Sequence, residues 1–126
     1  MEMRGKKILV VEDSPLIAAT TEELVLELGG EVVGPAGNMA DAHTLCETAD
    51  FDIALVDLNI RGAKAFPLLK ILERRQIPFV LTTGYADWSM PEEWTKVPRL
   101  PKPYTMQAIG SSLIKALKND CGPDRG

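Results

Sequence analysis

The fold is decided by the stretch Phe51-Asp52-Ile53-Ala54-Leu55-Val56-Asp57-Leu58, in which an apolar run ends abruptly in a carboxylate. The run from Ile53 to Val56 has the length of a strand that is buried on both faces of a sheet. Open α/β sheets carry their reactive groups at the carboxyl ends of such strands. We therefore interpret Asp57 as the reactive residue of the chain. The alternative is that Asp57 only caps the turn that follows, where Asp is common.

Strand and helix patterns alternate along the rest of the chain. Strands are predicted at 8–11, 31–34, 51–56, 79–82 and 97–100. Helices are predicted from Pro15 to about 28, from the cap Asn38 to about 48, from about 64 to 74, and after the cap Thr105. Between Ala86 and Pro98 the pattern allows one short helix at most. These β-then-α units predict an α/β fold, a doubly wound five-stranded parallel sheet with helices on both faces.

Length, charge and cysteine content argue against several classes of protein, among them multidomain, nucleic-acid-binding and membrane-spanning proteins. The 126 residues suit a single domain, 1–126, with a core from about 6 to 119 and no output domain. A net charge of -4 without any run of basic residues argues against nucleic acid as a partner. Cys46 and Cys121 lack metal-ligand spacing and are expected to be free thiols. With neither a signal-like segment nor ~18 consecutive apolar residues, we expect a cytoplasmic protein without a membrane segment.

Polar residues follow several of the predicted strands. Because parallel strands end at the same edge of a sheet, residues far apart in sequence are expected to meet there. The residues placed at this edge are Glu12, Asp13, Asp57, Thr83 and Lys102. Taken singly, each could have a structural role, such as a charged helix start or a solvated lysine. It is improbable that separate structural roles would bring all five residues to one edge by chance, which favours a functional site.

The three carboxylates at this edge indicate a metal. Like charges repel one another at close range unless a cation lies between them. Oxygen ligands without His or Cys suit a hard ion, and Mg²⁺ takes one or two carboxylates, waters and a phosphate oxygen. We therefore expect Mg²⁺ to bind Glu12, Asp13 and Asp57, with the backbone carbonyl of Asn59 as a further ligand.

The same edge is suited to phosphoryl transfer. A carboxylate beside Mg²⁺ is a competent nucleophile for this reaction. The Lys102 ammonium would neutralise the transferred group from the side opposite the metal, while the Thr83 hydroxyl and the Gly84 backbone N–H would supply neutral donors. Glycine at position 84 also permits a close approach of the backbone.

The chain resembles a known family through a set of residues in a fixed order. The set is Glu12-Asp13, Asp57, Thr83-Gly84 and Lys102-Pro103, and it spans nearly the whole length. It is similar to the receiver domain of bacterial two-component response regulators, the CheY-like superfamily. The resemblance implies a flavodoxin-like (βα)5 fold with a shortened fourth helix.

The resemblance also implies a role for each matching residue. Asp57 would be the phosphoacceptor, Thr83 the switch hydroxyl and Lys102 the lysine that contacts the phosphate. The backbone at Leu58 and Gly84 would contact the phosphoryl group, and the acidic pair would bind Mg²⁺ or Mn²⁺. The phosphoryl donor would be a phosphohistidine on a histidine kinase or on a histidine phosphotransfer protein.

The stretch 78–85, Pro78-Phe79-Val80-Leu81-Thr82-Thr83-Gly84-Tyr85, further resembles the FAT GUY subfamily of receivers. Its members are often stand-alone and are associated with HWE or HisKA2 kinases. The signature has Phe and Ala where this chain has Leu81 and Thr82. Tyr85 and Asn59 would flank the entry of attacking water, so we expect them to set the lifetime of the phosphoryl group.

One position departs from the family pattern. Receivers ordinarily carry Tyr or Phe three residues before the lysine, where this chain has Arg99. The departure argues against the usual coupling of the switch threonine to a rotating aromatic ring. It also argues against dimerisation through the face of the fourth helix, fifth strand and fifth helix, so we expect a monomer or weak dimer. Our hypothesis is that phosphorylation acts by ordering residues 86–98.

These observations predict a single-domain response regulator that accepts a phosphoryl group on Asp57. It would serve as a phosphorelay intermediate, a phosphate sink or a kinase-regulating adaptor, and it would not be an enzyme beyond its own phosphorylation and dephosphorylation. One alternative is a phosphatase with an aspartyl-phosphate intermediate, which needs a second carboxylate where Asn59 stands. The other is an interaction module with a receiver fold that works without phosphorylation.

Overall fold

A computed structural model describes residues 4–83, 99–101 and 105–119 of the chain. The strands in this part are β1 (Lys7–Val11), β2 (Glu31–Ala36), β3 (Ile53–Asp57), β4 (Asn59–Ile60), β5 (Ala63–Lys64), β6 (Phe79–Thr83) and β7 (Arg99–Pro101). The helices in this part are α1 (Pro15–Glu27), α2 (Met39–Thr48), α3 (Phe66–Arg74) and α4 (Met106–Asn119). The predicted short helix within 86–98 lies outside the described residues, as does the end of the chain after 119.

Five of these strands form one parallel sheet in the order β2-β1-β3-β6-β7. The strand β3 lies in the middle, and all of its residues are buried. In the register of the sheet, Val11 is paired with Val56, and Asp57 is paired with Thr82. The predicted α/β fold with a doubly wound parallel sheet is therefore confirmed.

The helices cover both faces of this sheet because β3 supplies apolar side chains to each. Ile53 and Leu55 belong to a buried cluster that includes residues of α1 and α4. Ala54 and Val56 belong to a second cluster, with residues of α2 and α3. Alternate residues of a strand point to opposite faces, which explains the division. None of the helices in the described ranges has the length and apolar character needed to cross a bilayer.

Side chains cap three of the helix starts, as predicted for Asn38 and Thr105. Ser14, Asn38 and Thr105 each accept a hydrogen bond through the side chain from the backbone N–H three residues further on. The helix α3 begins after Ala65 without a side-chain cap and holds Pro67 in its first turn, where proline is tolerated. It starts two residues later than the sequence pattern predicts.

The segment predicted as a loop after β3 is a small antiparallel hairpin. Its strands β4 and β5 are joined by Arg61 and Gly62, whose φ angles are 51° and 86°. A two-residue turn with positive φ at both positions matches the right-handed twist of the flanking strands. This hairpin takes up Lys64, which explains the later start of α3. It also places the backbone of its turn close to the carboxyl edge of the sheet.

Candidate functional site

The carboxyl edge of the sheet gathers polar residues from three strands. Glu12 and Asp13 follow β1, Asp57 ends β3 and Thr83 ends β6. Glu12 and Asp57 are each only 4% exposed, whereas Asp13 is half-buried. One carboxylate oxygen from each of Glu12, Asp13 and Asp57 lies within 4.8 Å of the others. The predicted acidic cluster is therefore present in the fold.

Backbone N–H groups orient all three carboxylates. The hydrogen bonds run from Ser14 N to Glu12 Oε2 at 3.1 Å, from Arg61 N to Asp13 Oδ2 at 2.8 Å, and from Asn59 N to Asp57 Oδ1 at 3.1 Å. A carboxylate has about four lone-pair sites, so an accepted hydrogen bond does not by itself prevent its oxygens from binding a cation. The side chains are thus held in place while they keep their capacity to bind a cation.

The donor set of this cluster fits Mg²⁺. All three side chains offer oxygen, and a hard divalent ion prefers oxygen from carboxylates, carbonyls and water. Neither His nor Cys belongs to the group of potential ligands found in the described residues. The chemistry of the cluster therefore agrees with the metal expected from the sequence.

Thr83 supplies a buried polar atom at the same edge of the sheet. The side chain is 1% exposed, and its Oγ1 makes no hydrogen bond within the described residues. A buried hydroxyl without a hydrogen bond costs roughly 1 to 3 kcal/mol. Its position at the end of β6, next to the strand that ends in Asp57, suits a hydroxyl that donates to a group bound on Asp57.

The two backbone N–H groups that follow Asp57 have different partners. The N–H of Leu58 donates to the Thr82 carbonyl at 3.0 Å as part of the sheet. The N–H of Asn59 points at the Asp57 carboxylate instead. Asn59 therefore supplies a backbone donor to the Asp57 carboxylate, and no sequence signal identifies this donor because every residue except proline carries an N–H. The phosphoryl contact predicted for the backbone of Leu58 stays a prediction.

The side chain of Asn59 also has a structural task. Its Oδ1 accepts a hydrogen bond of 2.9 Å from the Gly62 N–H, which closes the hairpin turn. The predicted roles of its backbone carbonyl in metal binding and of its side chain in setting the phosphoryl lifetime stay predictions.

Four predicted site residues lie wholly or partly outside the part of the chain that the structure describes. Lys102, Gly84 and Tyr85 lie outside the described residues. The backbone of Arg99 is in β7, in register with Leu81, but the structure does not describe its side chain. The roles predicted for these four residues stay predictions.

The geometry of this edge agrees with the comparison to known proteins. Residues 8–111 match the family model of the response regulator receiver domain. The chain belongs to this family. Apart from Lys7, the match covers all five strands of the parallel sheet, and it includes the residues of the acidic cluster.

Individual receivers show how similar the chain is to known members. The solution structure of SdrG from Sphingomonas melonis Fr1 has 37% sequence identity and a TM-score of 0.81, with 90% of this chain and 97% of SdrG covered. A solution structure of SdrG in its BeF3-activated conformation has 38% identity and a TM-score of 0.75, covering 88% of this chain and 95% of that one.

Two further proteins extend the comparison. The nitrate/nitrite response regulator NarP of Escherichia coli is 36% identical over 69 residues, which are 54% of this chain and 32% of NarP. The receiver domain of the sensor histidine kinase PA1611 from Pseudomonas aeruginosa PAO1 holds a magnesium ion in its active site cleft. It shares the fold, with 21% identity and a TM-score of 0.78 over 90% of this chain and 98% of its own. The chain spans between 14% and 55% of the length of the curated relatives it matches.

Proposed function

We propose that this receiver domain accepts a phosphoryl group from a phosphohistidine onto Asp57 with the help of bound Mg²⁺, and signals through protein partners or acts as a phosphate shuttle or sink. The observation that supports the proposal most is the convergence of three carboxylates and the buried Thr83 hydroxyl at one edge of the sheet, where this hydroxyl has no hydrogen-bond partner among the described residues. A structural role alone gives no reason to bury a hydroxyl without a partner beside this cluster.

The proposed step exchanges one bond to phosphorus for another. An oxygen of the Asp57 carboxylate forms a bond to phosphorus, the P–N bond of the phosphohistidine breaks, and its electron pair stays on the imidazole nitrogen. Bound Mg²⁺ would neutralise charge on the phosphoryl oxygens. The Thr83 hydroxyl donates a hydrogen bond to one of these oxygens, and the Asn59 N–H donates a hydrogen bond to another. Lys102 is proposed to contact the same group.

Relatives support the choice of metal and partner. The receiver of the sensor kinase PA1611 holds magnesium in its cleft, and SdrG, which is 38% identical, has a BeF3-activated conformation. For this chain we propose a histidine kinase of the HWE or HisKA2 type, or a histidine phosphotransfer protein, as the donor. The FAT GUY assignment is part of this proposal. The chain would catalyse only its own phosphorylation and dephosphorylation.

Phosphoryl transfer from a small donor tests the proposal without a known kinase. Phosphoramidate has the P–N bond of a phosphohistidine, so the protein is incubated with it, with and without MgCl₂, and analysed by intact mass spectrometry. We expect one phosphoryl group on the wild type only when Mg²⁺ is present, and none on Asp57→Asn. The control Asp50→Asn changes an exposed carboxylate outside the acidic cluster and should be labelled like the wild type.

Failure of this experiment has a definite meaning. Labelling of Asp57→Asn to the wild-type level would place the phosphoryl group elsewhere and contradict the proposal. A protein that stays unlabelled by phosphoramidate and by a phosphorylated histidine kinase, yet whose Asp57→Ala variant binds its partner normally, would favour the phosphorylation-independent interaction module.

A further inference from the structure

Arg61 in the turn of the hairpin joins three segments that are distant in sequence. Its backbone N–H donates to Asp13 Oδ2 at 2.8 Å, across 48 positions of the chain. Its side-chain Nε donates to the carbonyl oxygen of Gly37 at 3.2 Å, across 24 positions. Gly37 lies beside β1, since a Cβ built on it would be 3.8 Å from the Glu12 carbonyl oxygen. One exposed residue thus connects the segments that follow β1, β2 and β3.

The backbone conformation of Arg61 is unfavourable for an arginine. Its φ of 51° lies in the left-handed region, which costs a residue with a Cβ about 1 to 2 kcal/mol. Glycine, asparagine or aspartate are the usual residues at this position of such a turn. Glycine would remove the cost but would have no Nε to bind Gly37. The strain therefore points to a use for the side chain.

We propose that Arg61 is a positioning residue for the metal site. Its guanidinium fixes the hairpin turn to the Gly37 carbonyl, so that the Arg61 N–H holds the Asp13 carboxylate in place beside Glu12 and Asp57. Asp13 is the half-buried member of the cluster and is the one that most needs such support, because solvent competes for its oxygens. The inference rests on the proposed function, since it concerns the Mg²⁺ that the acidic cluster would bind.

The positive charge of Arg61 and its hydrogen bond to Gly37 should have opposite effects on the affinity for Mg²⁺. A cation near a metal site repels Mg²⁺, so removal of the charge alone should strengthen Mg²⁺ binding. Loss of the hydrogen bond that positions Asp13 should weaken Mg²⁺ binding, as partners that orient metal ligands commonly do. A variant that removes both the charge and the hydrogen bond decides between the two roles. Tighter Mg²⁺ binding would show that the charge dominates, and weaker binding that the hydrogen bond does.

Two uncharged variants of equal length isolate the hydrogen bond. In Arg61→Gln the Nε2 atom follows Cδ, as Nε does in arginine, so a donor toward Gly37 is kept. In Arg61→Met a methyl carbon takes that place and the donor is lost. Both variants have a Cβ and the same left-handed strain, and both lose the charge. Arg61→Ala, which also lacks the donor, serves as a second test of the loss.

Mg²⁺ affinity is measured by titration of the amide resonances with MgCl₂ at constant ionic strength. We expect Arg61→Met and Arg61→Ala to bind Mg²⁺ about three- to tenfold more weakly than the wild type, and Arg61→Gln to bind at least as tightly. Without metal, the amide at position 61 should exchange faster in the Met variant than in the Gln variant. This second readout does not depend on phosphorylation.

The outcomes divide as follows. Equal or tighter binding by both Gln and Met variants would show that only charge matters and would overturn the positioning role. Equal weakening of both would show that the Nε hydrogen bond is not the cause and would overturn it as well. A wild type that binds no Mg²⁺ would overturn the metal part of the proposed function and this inference with it, whereas wild-type binding with unchanged variants would overturn the inference alone.

Discussion

The guanidinium carbon of Arg75 lies 5.4 Å from the centroid of the Phe51 ring, while its nitrogens donate to the carbonyl oxygens of Cys46 and Ala49. These carbonyls lie at the end of α2, where the last residues of a helix have no partner within the helix. One side chain after α3 therefore completes the end of α2 and links both helices to the start of β3. The contact lies at the amino end of β3, opposite the edge that carries the acidic cluster.

Removal of this side chain should destabilise the fold. We expect Arg75→Ala to lower the free energy of unfolding by about 2 kcal/mol, from the loss of charge-assisted hydrogen bonds and the cation–π contact. Urea unfolding followed by circular dichroism measures the change. The neighbouring Arg74→Ala is a matched control, because Arg74 forms an exposed ion pair with Glu47 that should contribute less than about 1 kcal/mol. Equal losses in both variants would contradict the role assigned to Arg75.

The Thr83 hydroxyl is buried and has no hydrogen-bond partner in the described part of the chain, so its removal should affect ligand binding but not the stability of the free protein. Thr83→Val replaces the hydroxyl by a methyl group, so the unfolding free energy of the free protein should stay unchanged or rise by up to about 1 kcal/mol. Binding of beryllofluoride with Mg²⁺, a mimic of the phosphoryl group, should weaken at least about tenfold, because a donor to it is lost. Calorimetric titration measures this affinity. Thr83→Ser keeps the hydroxyl and should bind beryllofluoride almost as the wild type does; a Val variant with wild-type affinity would remove Thr83 from the site.

The repulsion within the acidic cluster predicts opposite effects with and without metal. Asp13→Asn removes one of three neighbouring negative charges but keeps an oxygen that can accept the Arg61 N–H. In metal-free buffer we expect the variant to be more stable by about 1 kcal/mol. In excess MgCl₂ the wild type should gain stability and the variant should gain much less. Thermal unfolding with and without Mg²⁺ reports both effects.

A matched variant checks that the site, and not the total charge, causes these effects. Glu73→Gln removes one negative charge from the exposed side of α3. Its response to Mg²⁺ should equal that of the wild type. If Asp13→Asn and Glu73→Gln gain the same stability from Mg²⁺, the ion does not bind at the acidic cluster.

The buried thiol of Cys46 predicts a loss of stability at alkaline pH. Burial raises the pKa of Cys46 from 9.0 to about 11; the Glu47 charge adds to the rise and the Arg75 charge opposes it. Because the folded pKa is raised above the unfolded value, the contribution of this thiol is complete below pH 9.0 and is lost as the pH rises to about 11. The loss over this range should be of the order of 2 kcal/mol.

Urea unfolding as a function of pH, compared between wild type and Cys46→Ala, isolates this contribution. The variant should be less stable at neutral pH, because it leaves a cavity, but its stability should fall less between pH 9.0 and about 11. Cys121→Ser should retain the wild-type profile. Parallel pH profiles for wild type and Cys46→Ala would show that Cys46 keeps an ordinary pKa.

The strands of the parallel sheet and the acidic residues at its edge could be predicted from the sequence, because an apolar run followed by a polar residue is a local pattern. An apolar run that ends in Asp57 has few structural solutions, and parallel strands then bring Glu12 and Thr83 to the same edge. The strand β2 was predicted too short, since Gly34 and Pro35 usually end a strand. At the outer edge of a sheet, proline is tolerated because its missing N–H faces away from the neighbouring strand.

The hairpin and its contacts could not be predicted for a different reason. Strands of two residues have no periodicity to detect, and arginine in a left-handed conformation contradicts turn statistics. Two of the three N–H groups that orient the carboxylates belong to Asn59 and Arg61, and a backbone N–H group leaves no mark in the sequence. Such contacts become visible only when the segments after β1 and β3 are brought together.

The residues of β3 belong to two buried clusters, so this strand connects the helices on both faces of the sheet. Ile53 and Leu55 pack toward one outer layer and Ala54 and Val56 toward the other, while Asp57 is the last residue of the same strand. If Asp57 is phosphorylated as proposed, a displacement of this residue would pass along β3 to the side chains packed on both faces of the sheet.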